Sequence, residues 1–442
     1  MPPETNQHWD CAVVGDWHLA FTTASCLSRL GHRVLLVNPN EASAWLSFPE
    51  VPLNEPGMTE MMTESRREGR LDFANGFSSG WTAEYVWMAI DTPVDEQDEA
   101  DLRPLEETAQ RVTENGNCRG QFITNSQIPM GFSERLEKRF GLEVVYIPEN
   151  LRLGKGIETF LRGDRTVIGA TNPATRERIR KFLAGVESEF FLCNLVTAEM
   201  IKHATNAFLA TSISFANELA RIGEQMGVDN AQVAQALKLD KRIGKGAYVA
   251  PGLGFAGGTL PRDLRILQKI GREKAVPTQL VDSVLQINQN TADALVQALE
   301  QHLGEMKGKR VLVIGYTYKA DTDTLRRSSS IELARKLGAR GMEVWGYDPV
   351  MNRRDLSLLD GVLRHFNEWR EIPDAPAACV IMTPRAEFAE LDWSALSKRG
   401  AQNGTRAPLV LDTRAVTTSD RVLSAGFAYK ALWQPVQEPP RP

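Results

Sequence analysis

Short apolar runs alternate with stretches of helical period along most of the chain. Cys11-Ala12-Val13-Val14 ends in Gly15, residues 20–30 have helical character, and Gly31-His32 precedes a second run, Val34-Leu35-Leu36-Val37. Runs of this length without polar alternation fit strands covered on both faces, so strand, helix, strand reads as a βαβ unit opening a parallel sheet. A proline-bearing loop at 43–56, helices at 58–67 and 102–112, strands at 85–90 and 121–124, and a last strand at 165–169 continue the pattern. From Ala198 a long helical tract runs to about Met226, and further helical stretches lie at 228–237, from Asp263 onward and at 278–303. Apolar runs return at 308–315, 344–349, 380–383 and 409–414, with a helix at 328–340. The predicted fold class is α/β, with two doubly wound parallel-sheet domains joined by a helical central region. Boundaries are expected at 1–196, 197–304 and 305–435, followed by a polar, proline-rich tail at 436–442 expected to be disordered.

At 442 residues the chain has the length of roughly two or three domains. Hydrophobic residues make up 42% and charged residues 24%, and the formal net charge is −5 without a basic cluster. That balance suits a soluble globular protein and argues against nucleic acid as the main partner. The five cysteines, Cys11, Cys26, Cys118, Cys193 and Cys379, form no Cys-x-x-Cys pair. They read as thiols in a reducing compartment, and neither a metal site nor a disulfide framework is expected. The polar start and the lack of a long apolar run leave no signal peptide or membrane helix to expect, so the expected location is cytoplasmic.

Candidate chemistry gathers in a few places. Gly252-Leu253-Gly254-Phe255-Ala256-Gly257-Gly258-Thr259 runs into Leu260-Pro261-Arg262-Asp263 and a helical pattern. So many glycines mean positive φ or close backbone approach, and Asp263 can cap the helix or serve a site. In general such a stretch is a tight loop before a helix. The turn Gly15-Asp16-Trp17-His18-Leu19-Ala20 stands where a dinucleotide-binding unit has Gly-x-Gly-x-x-Gly. Only Gly15 of the three glycines is present, Trp17 sits where the backbone approaches phosphate, and Asn38 replaces the acid that holds ribose hydroxyls. The unit either keeps the fold without tight NAD binding, or takes the cofactor with the indole swung out. Lys202 and Asn206 are four apart and project from one helix face, where a lysine is otherwise a snorkelling surface residue. Glu149, in a loop, is otherwise a solvated charge.

The glycine stretch resembles the active-site loop of the nucleotide-sugar dehydrogenases, the UDP-glucose/GDP-mannose 6-dehydrogenase family, whose pattern is Gly-Phe-Gly-Gly-Ser-Cys-x-Pro-Lys-Asp. Phe255, Gly257, Pro261 and Asp263 match, and Thr259 stands in the place of the catalytic cysteine. The resemblance extends from about residue 11 to 430 and includes Thr92-Pro93, Asn125-Ser126-Gln127-Ile128-Pro129-Met130-Gly131, and the run Pro148 to Gly154. It also includes the Lys202/Asn206 pair, Arg242-Ile243-Gly244, the segment from Gly315 to Ser328, and Tyr347-Asp348-Pro349. It implies two Rossmann-like domains: 1–196 as dinucleotide-binding-like, 305–435 as nucleotide-sugar-binding, and helices 197–304 as a dimerisation region carrying the active-site loop. In such enzymes NAD oxidises the sugar C6 alcohol twice, and the cysteine captures the intermediate aldehyde. By resemblance Lys202 stabilises the oxyanion, Asn206 orients water or a substrate oxygen, Asp263 assists as base and Glu149 is the carboxylate on the sugar rim, with Thr259 completing the catalytic set. Gly15, Trp17, Asn38, Thr92 and Gln127 are the cofactor-side residues, Gln127 standing for a threonine. Leu151, Arg242, Phe255, Gly257, Lys319 and Arg326 are the substrate-side residues, and a homodimer is implied, with Arg242 able to reach a neighbouring subunit.

A threonine hydroxyl is a far weaker nucleophile than a thiol near neutral pH, and no histidine lies nearby in sequence to activate it. Three readings follow. The first is a divergent NAD-dependent oxidoreductase acting on a UDP-sugar-like substrate, which does not run the cysteine-dependent four-electron oxidation. The second is a pseudoenzyme or regulatory protein that binds a nucleotide sugar, paired with an active paralogue. The third is a non-redox enzyme using Lys202, Asn206 and Asp263.

Overall fold

Apolar side chains on both faces of the strands decide the architecture. In β1 (Gln7–Val14), Cys11 and Val13 enter one core while Ala12 and Val14 enter the other. Such a strand has no polar face to show, which is why its sequence reads as a continuous apolar run. The structure, a computed structural model, describes residues 7–40, 45, 47, 49–51, 55–77, 80–93, 100–151, 154–317, 325, 328–351, 353–399 and 406–440. The chain divides into two compact units, Met1–Thr205 and Asn206–Pro442.

In the first unit β1 is followed by α1 (His18–Arg29), β2 (Val34–Asn38), α2 (Met58–Arg67), β3 (Leu71–Asn75), β4 (Trp81–Met88), α3 (Arg103–Glu114) and β5 (Cys118–Thr124). Then come α4 (Phe132–Phe140), β6 (Val144–Tyr146), α5 (Gly156–Leu161), β7 (Arg165–Ala170), α6 (Pro173–Phe182), β8 (Glu189–Cys193) and the start of α7 (Leu195–Gln225). The sheet order is β3-β2-β1-β4-β5-β6-β7-β8. Strands β1 to β6 are parallel neighbours, and the order reverses between β1 and β4, the place where such sheets bind ligands at their carboxyl ends.

Two expectations are corrected here. The strand at 165–169 is not the last, since β8 follows it, and β7 runs antiparallel to β6. A buried strand shows the same apolar run in either direction, so its sequence carries no polarity.

The second unit adds α8 (Asn230–Leu239), α9 (Leu260–Glu273), α10 (Gln279–Leu303), β9 (Arg310–Ile314), α11 (Ser329–Ala339), β10 (Glu343–Tyr347) and β11 (Arg364–Phe366). It ends with β12 (Ala378–Ile381), α12 (Trp393–Ser397), β13 (Leu409–Asp412), α13 (Ser419–Ser424) and β14 (Ala428–Ala431). The six strands are parallel in the order β11-β10-β9-β12-β13-β14. Val311 and Val313 of β9 face one core, and Leu312 and Ile314 the other. The α/β fold class expected from the runs is therefore present in both sheets. The end read as disordered from 436 is held at Gln437, whose backbone exchanges hydrogen bonds of 2.9 and 2.8 Å with Tyr429. A smaller apolar cluster, Ala210, Phe255, Leu264, Val284 and Leu285, joins the glycine stretch to α7, α9 and α10. Among the described residues no helix is long and apolar enough to cross a membrane.

Candidate functional site

In the first unit the cofactor-side residues collect along one edge of the sheet. Gly15 directly follows β1, Asn38 ends β2, and Thr92 and Gln127 follow β4 and β5. At Gly15 a Cβ would lie 2.4 Å from the Ala89 carbonyl oxygen and 2.7 Å from the Ala20 Cβ, so only glycine allows α1 to approach the sheet this closely. Trp17 takes the N-cap position of α1, and no side chain caps the helix. Its carbonyl accepts the amides of Ala20 and Phe21 at 2.9 and 3.2 Å, and the residue is 44% exposed. An uncapped helix start facing a strand-end crevice is the kind of place that takes a phosphate. Thr92 donates from Oγ1 to the Gln127 carbonyl at 2.9 Å, so these two residues, 35 apart in sequence, do meet. Asn38 is fully buried, and its Oδ1 accepts the Asn40 amide at 3.0 Å. That bond commits one side-chain oxygen to a local turn.

Also in this unit, Lys202 is 4% exposed and gripped by Glu149. Its Nζ donates to the Glu149 carbonyl and lies 3.3 Å from Glu149 Oε1, while Glu149 Oε2 accepts the Leu151 amide at 2.9 Å. An ammonium with this little solvent needs such partners, so the snorkelling alternative does not hold. Leu151 is half-buried against the sheet core, which makes packing its visible role. The neighbouring Glu199 is buried on α7 and accepts the amides of Gly131 and Ser133, at the start of α4. Burial pushes its carboxyl above the usual range, and those two bonds only partly offset the effect.

In the second unit, Asn206 of α7 donates from Nδ2 to Asp263 Oδ2, and both are buried. Asp263 lies in the first turn of α9 and does not cap it, because the helix begins earlier, at Leu260, with Thr259 in the N-cap position. Thr259 is exposed and its side chain makes no capping bond. The loop before it is fixed by two residues that sequence reasoning missed. Asn288 of α10 accepts the Phe255 amide at 2.7 Å and donates to the Phe255 carbonyl at 2.8 Å. It also fills the space where a Cβ on Gly254 would sit, 2.2 Å from its Oδ1. Asn217 of α7 accepts the Gly252 amide at 2.7 Å. The available signal was a set of asparagines interrupting otherwise apolar helix faces. Gly254 and Gly257 have φ of 80° and 87°, as the glycine density suggested. Arg242 is exposed and turned back on Asp240, 2.7 Å away.

At the carboxyl edge of the second sheet, buried Asp348 accepts the amides of Tyr316 and Thr317 at 2.9 and 3.0 Å, and the Thr317 hydroxyl at 3.0 Å. Arg385, also buried and not singled out by the sequence, lies 3.6 Å from Asp348 and donates to Thr317 Oγ1 at 3.0 Å. Lys319 and Arg326 lie outside the described residues.

None of the five cysteines lies in the glycine stretch. All are free; Cys11 and Cys379 sit in strand cores and Cys26 inside α1. Burial raises the pKa of each, Cys118 up to about 11. Among the described residues no group of His, Cys, Asp or Glu could hold a metal ion.

Three profiles of the UDP-glucose/GDP-mannose dehydrogenase family match the chain: the NAD binding domain over 9–186, the central domain over 196–290 and the UDP binding domain over 312–419. UDP-glucose 6-dehydrogenase of Rickettsia bellii is 30% identical over 428 residues, covering 94% of this chain and 97% of the relative. UDP-glucose 6-dehydrogenase TuaD of Bacillus subtilis is 27% identical over 434 residues, covering 96% and 93%. Among solved structures, a UDP-glucose dehydrogenase from Pyrobaculum islandicum is 28% identical, with a TM-score of 0.82, and covers 98% of this chain and all of its own.

Proposed function

Because this chain belongs to the UDP-glucose/GDP-mannose dehydrogenase family, we propose that it is a divergent oxidoreductase of a UDP-sugar-like substrate that stops after one oxidation. The family carries an NAD binding domain, and residues 9–186 match it. The side-chain-free approach at Gly15 and the uncapped start of α1 fit a dinucleotide in outline. NAD held at that turn would supply the hydride acceptor for the carbon bearing the substrate alcohol. Lys202, buried beside Glu149, supplies positive charge for the oxygen of that alcohol as it becomes a carbonyl. Asn206 and Asp263 form the polar pair that orients the reacting oxygen and takes its proton.

The observation that carries the reading is Thr259 at the head of α9, where the family pattern has cysteine, with no cysteine anywhere in the glycine stretch. Without a thiol to hold the aldehyde covalently, the reaction ends as R–CH2OH + NAD+ giving R–CHO + NADH + H+. The test is to follow NADH absorbance with limiting UDP-glucose and to identify the product. One NADH per sugar and an aldehyde support the reading, and two NADH with a uronic acid reject it.

A second reading, a pseudoenzyme that binds a nucleotide sugar beside an active paralogue, draws support from Trp17 at the helix start and from the local turn that engages Asn38. Calorimetric titration separates the two: binding of UDP-glucose without NAD binding at millimolar concentration favours the second. The three-part division at 196 and 304, a homodimer and a cytoplasmic location complete the proposal. The five free thiols support a reducing compartment.

A further inference from the structure

Glu55 belongs to none of the motifs described above, yet its side chain is 2% exposed and fully engaged. One carboxylate oxygen receives His18 Nε2 at 2.8 Å and the Gly154 amide at 2.9 Å, and the other receives the Gly156 amide at 2.7 Å. An ionised carboxylate only accepts, so His18 Nε2 carries the hydrogen. His18 is the first residue of α1, immediately after the turn that begins at Gly15. Gly154 and Gly156 follow the stretch bearing Glu149 and Leu151 and lead into α5. The backbone at 156 is pressed onto α1: a Cβ there would lie 3.1 Å from His18 Cε1 and 3.3 Å from Thr22 Oγ1 and Cγ2. The Gly156 amide is buried against the helix and needs an acceptor that water cannot supply, and Glu55 is that acceptor, while the Gly154 amide adds a second bond from the more exposed side.

We propose that Glu55 is a positioning residue for the sugar-side machinery: it locks Gly154 and Gly156 onto the head of α1 and thereby sets where Glu149 and its bonded Lys202 stand relative to the cofactor-side turn. The proposal rests on the nucleotide-sugar reading above. It differs from a purely structural role in one respect. A strap that merely holds the fold affects every ligand alike, whereas a positioning residue affects the ligand that reaches Glu149 and Lys202.

The experiment uses the full chain and two variants, Glu55→Gln and Gly156→Ala. The first keeps the shape but turns an NH2 group toward a donor. The second leaves Glu55 intact and puts a methyl group 3.1 Å from His18 Cε1, so that the contact between this backbone and the head of α1 must loosen. Calorimetry with UDP-glucose and with UDP, which lacks the sugar, is run on all three proteins. The expected result is a loss of roughly tenfold in UDP-glucose affinity in each variant, with UDP affinity changed by less than about twofold. If Glu55→Gln does not fold, Gly156→Ala alone carries the test. UDP-glucose affinity retained in the folded variants, or UDP and UDP-glucose affinity falling together, overturns the proposal. Wild-type protein that binds neither ligand overturns the nucleotide-sugar reading, and this proposal with it.

Discussion

A hydroxyl at the N-cap of α9 and a thiol at the same atom position differ chiefly in acidity, and the amino end of a helix widens that difference by favouring the thiolate. Thr259→Cys is therefore expected to raise NADH yield from about one toward two per UDP-glucose, read as the end-point absorbance at limiting substrate; a yield unchanged at one shows that the cysteine alone does not restore the second step. A pH effect is worked out at Glu199. Its folded pKa is raised by burial, so the native state binds the proton more tightly than the unfolded chain. The stability this contributes is present below the unfolded carboxylate range and is lost as pH rises through the raised folded value. Glutamine at 199 does not titrate, so the stability of wild type relative to Glu199→Gln should fall as pH rises above the usual carboxylate range. Urea midpoints at several pH values check this, and a relative stability that rises with pH refutes it. At this scale the sequence was informative about residue types and less so about partners. The four-residue spacing placed Lys202 and Asn206 on one face, but their grip on Glu149 and Asp263 spans 53 and 57 residues of chain and is set by the fold.

Elements were legible in proportion to how fully they are buried. The second half of β1 and strands β2, β9, β12 and β13 are almost unbroken apolar runs and were predicted, whereas β3 buries only Leu71 fully and β11 only Phe366. Those short edge strands carry too little pattern to stand out, and β7's reversed direction leaves no trace in periodicity. The glycine stretch was legible as a loop before a helix, but its rigidity was not, because it comes from α10. Asn288 holds both backbone groups of Phe255, so Asn288→Ala should leave a buried amide and carbonyl without partners, at a cost of about 1–3 kcal/mol each before relaxation. The expected signs are a lower urea midpoint and faster hydrogen exchange at the Phe255 amide, with the amides of β1 unaffected. Unchanged exchange at Phe255 would mean that the loop is held by its apolar contacts alone.

For the whole molecule, α7 supplies a physical argument about how many chains act together. Phe208, Phe215, Leu219 and Ile222 recur at helical spacing along it, with Met226 just past its end, and three of them, Phe208, Ile222 and Met226, are 71, 61 and 76% exposed. Single exposed apolar residues are ordinary, but a continuous stripe of large ones along one helix face is not, and covering it removes water from several side chains at about 25 cal/mol per Å². The net charge of −5 is small enough not to prevent two copies from meeting. The proposed homodimer therefore has α7 as its seam. Sedimentation of the wild-type chain should give twice the 49.1 kDa of one copy, and the double variant Phe215→Glu/Ile222→Glu should sediment as a single chain with its thermal unfolding otherwise preserved. Both substitutions place a charge on a surface that is already exposed in the isolated chain, so they disturb the seam and not the core. A wild-type protein that sediments as one copy at tens of micromolar would refute the seam, and a double variant that remains a dimer would move the interface to another face.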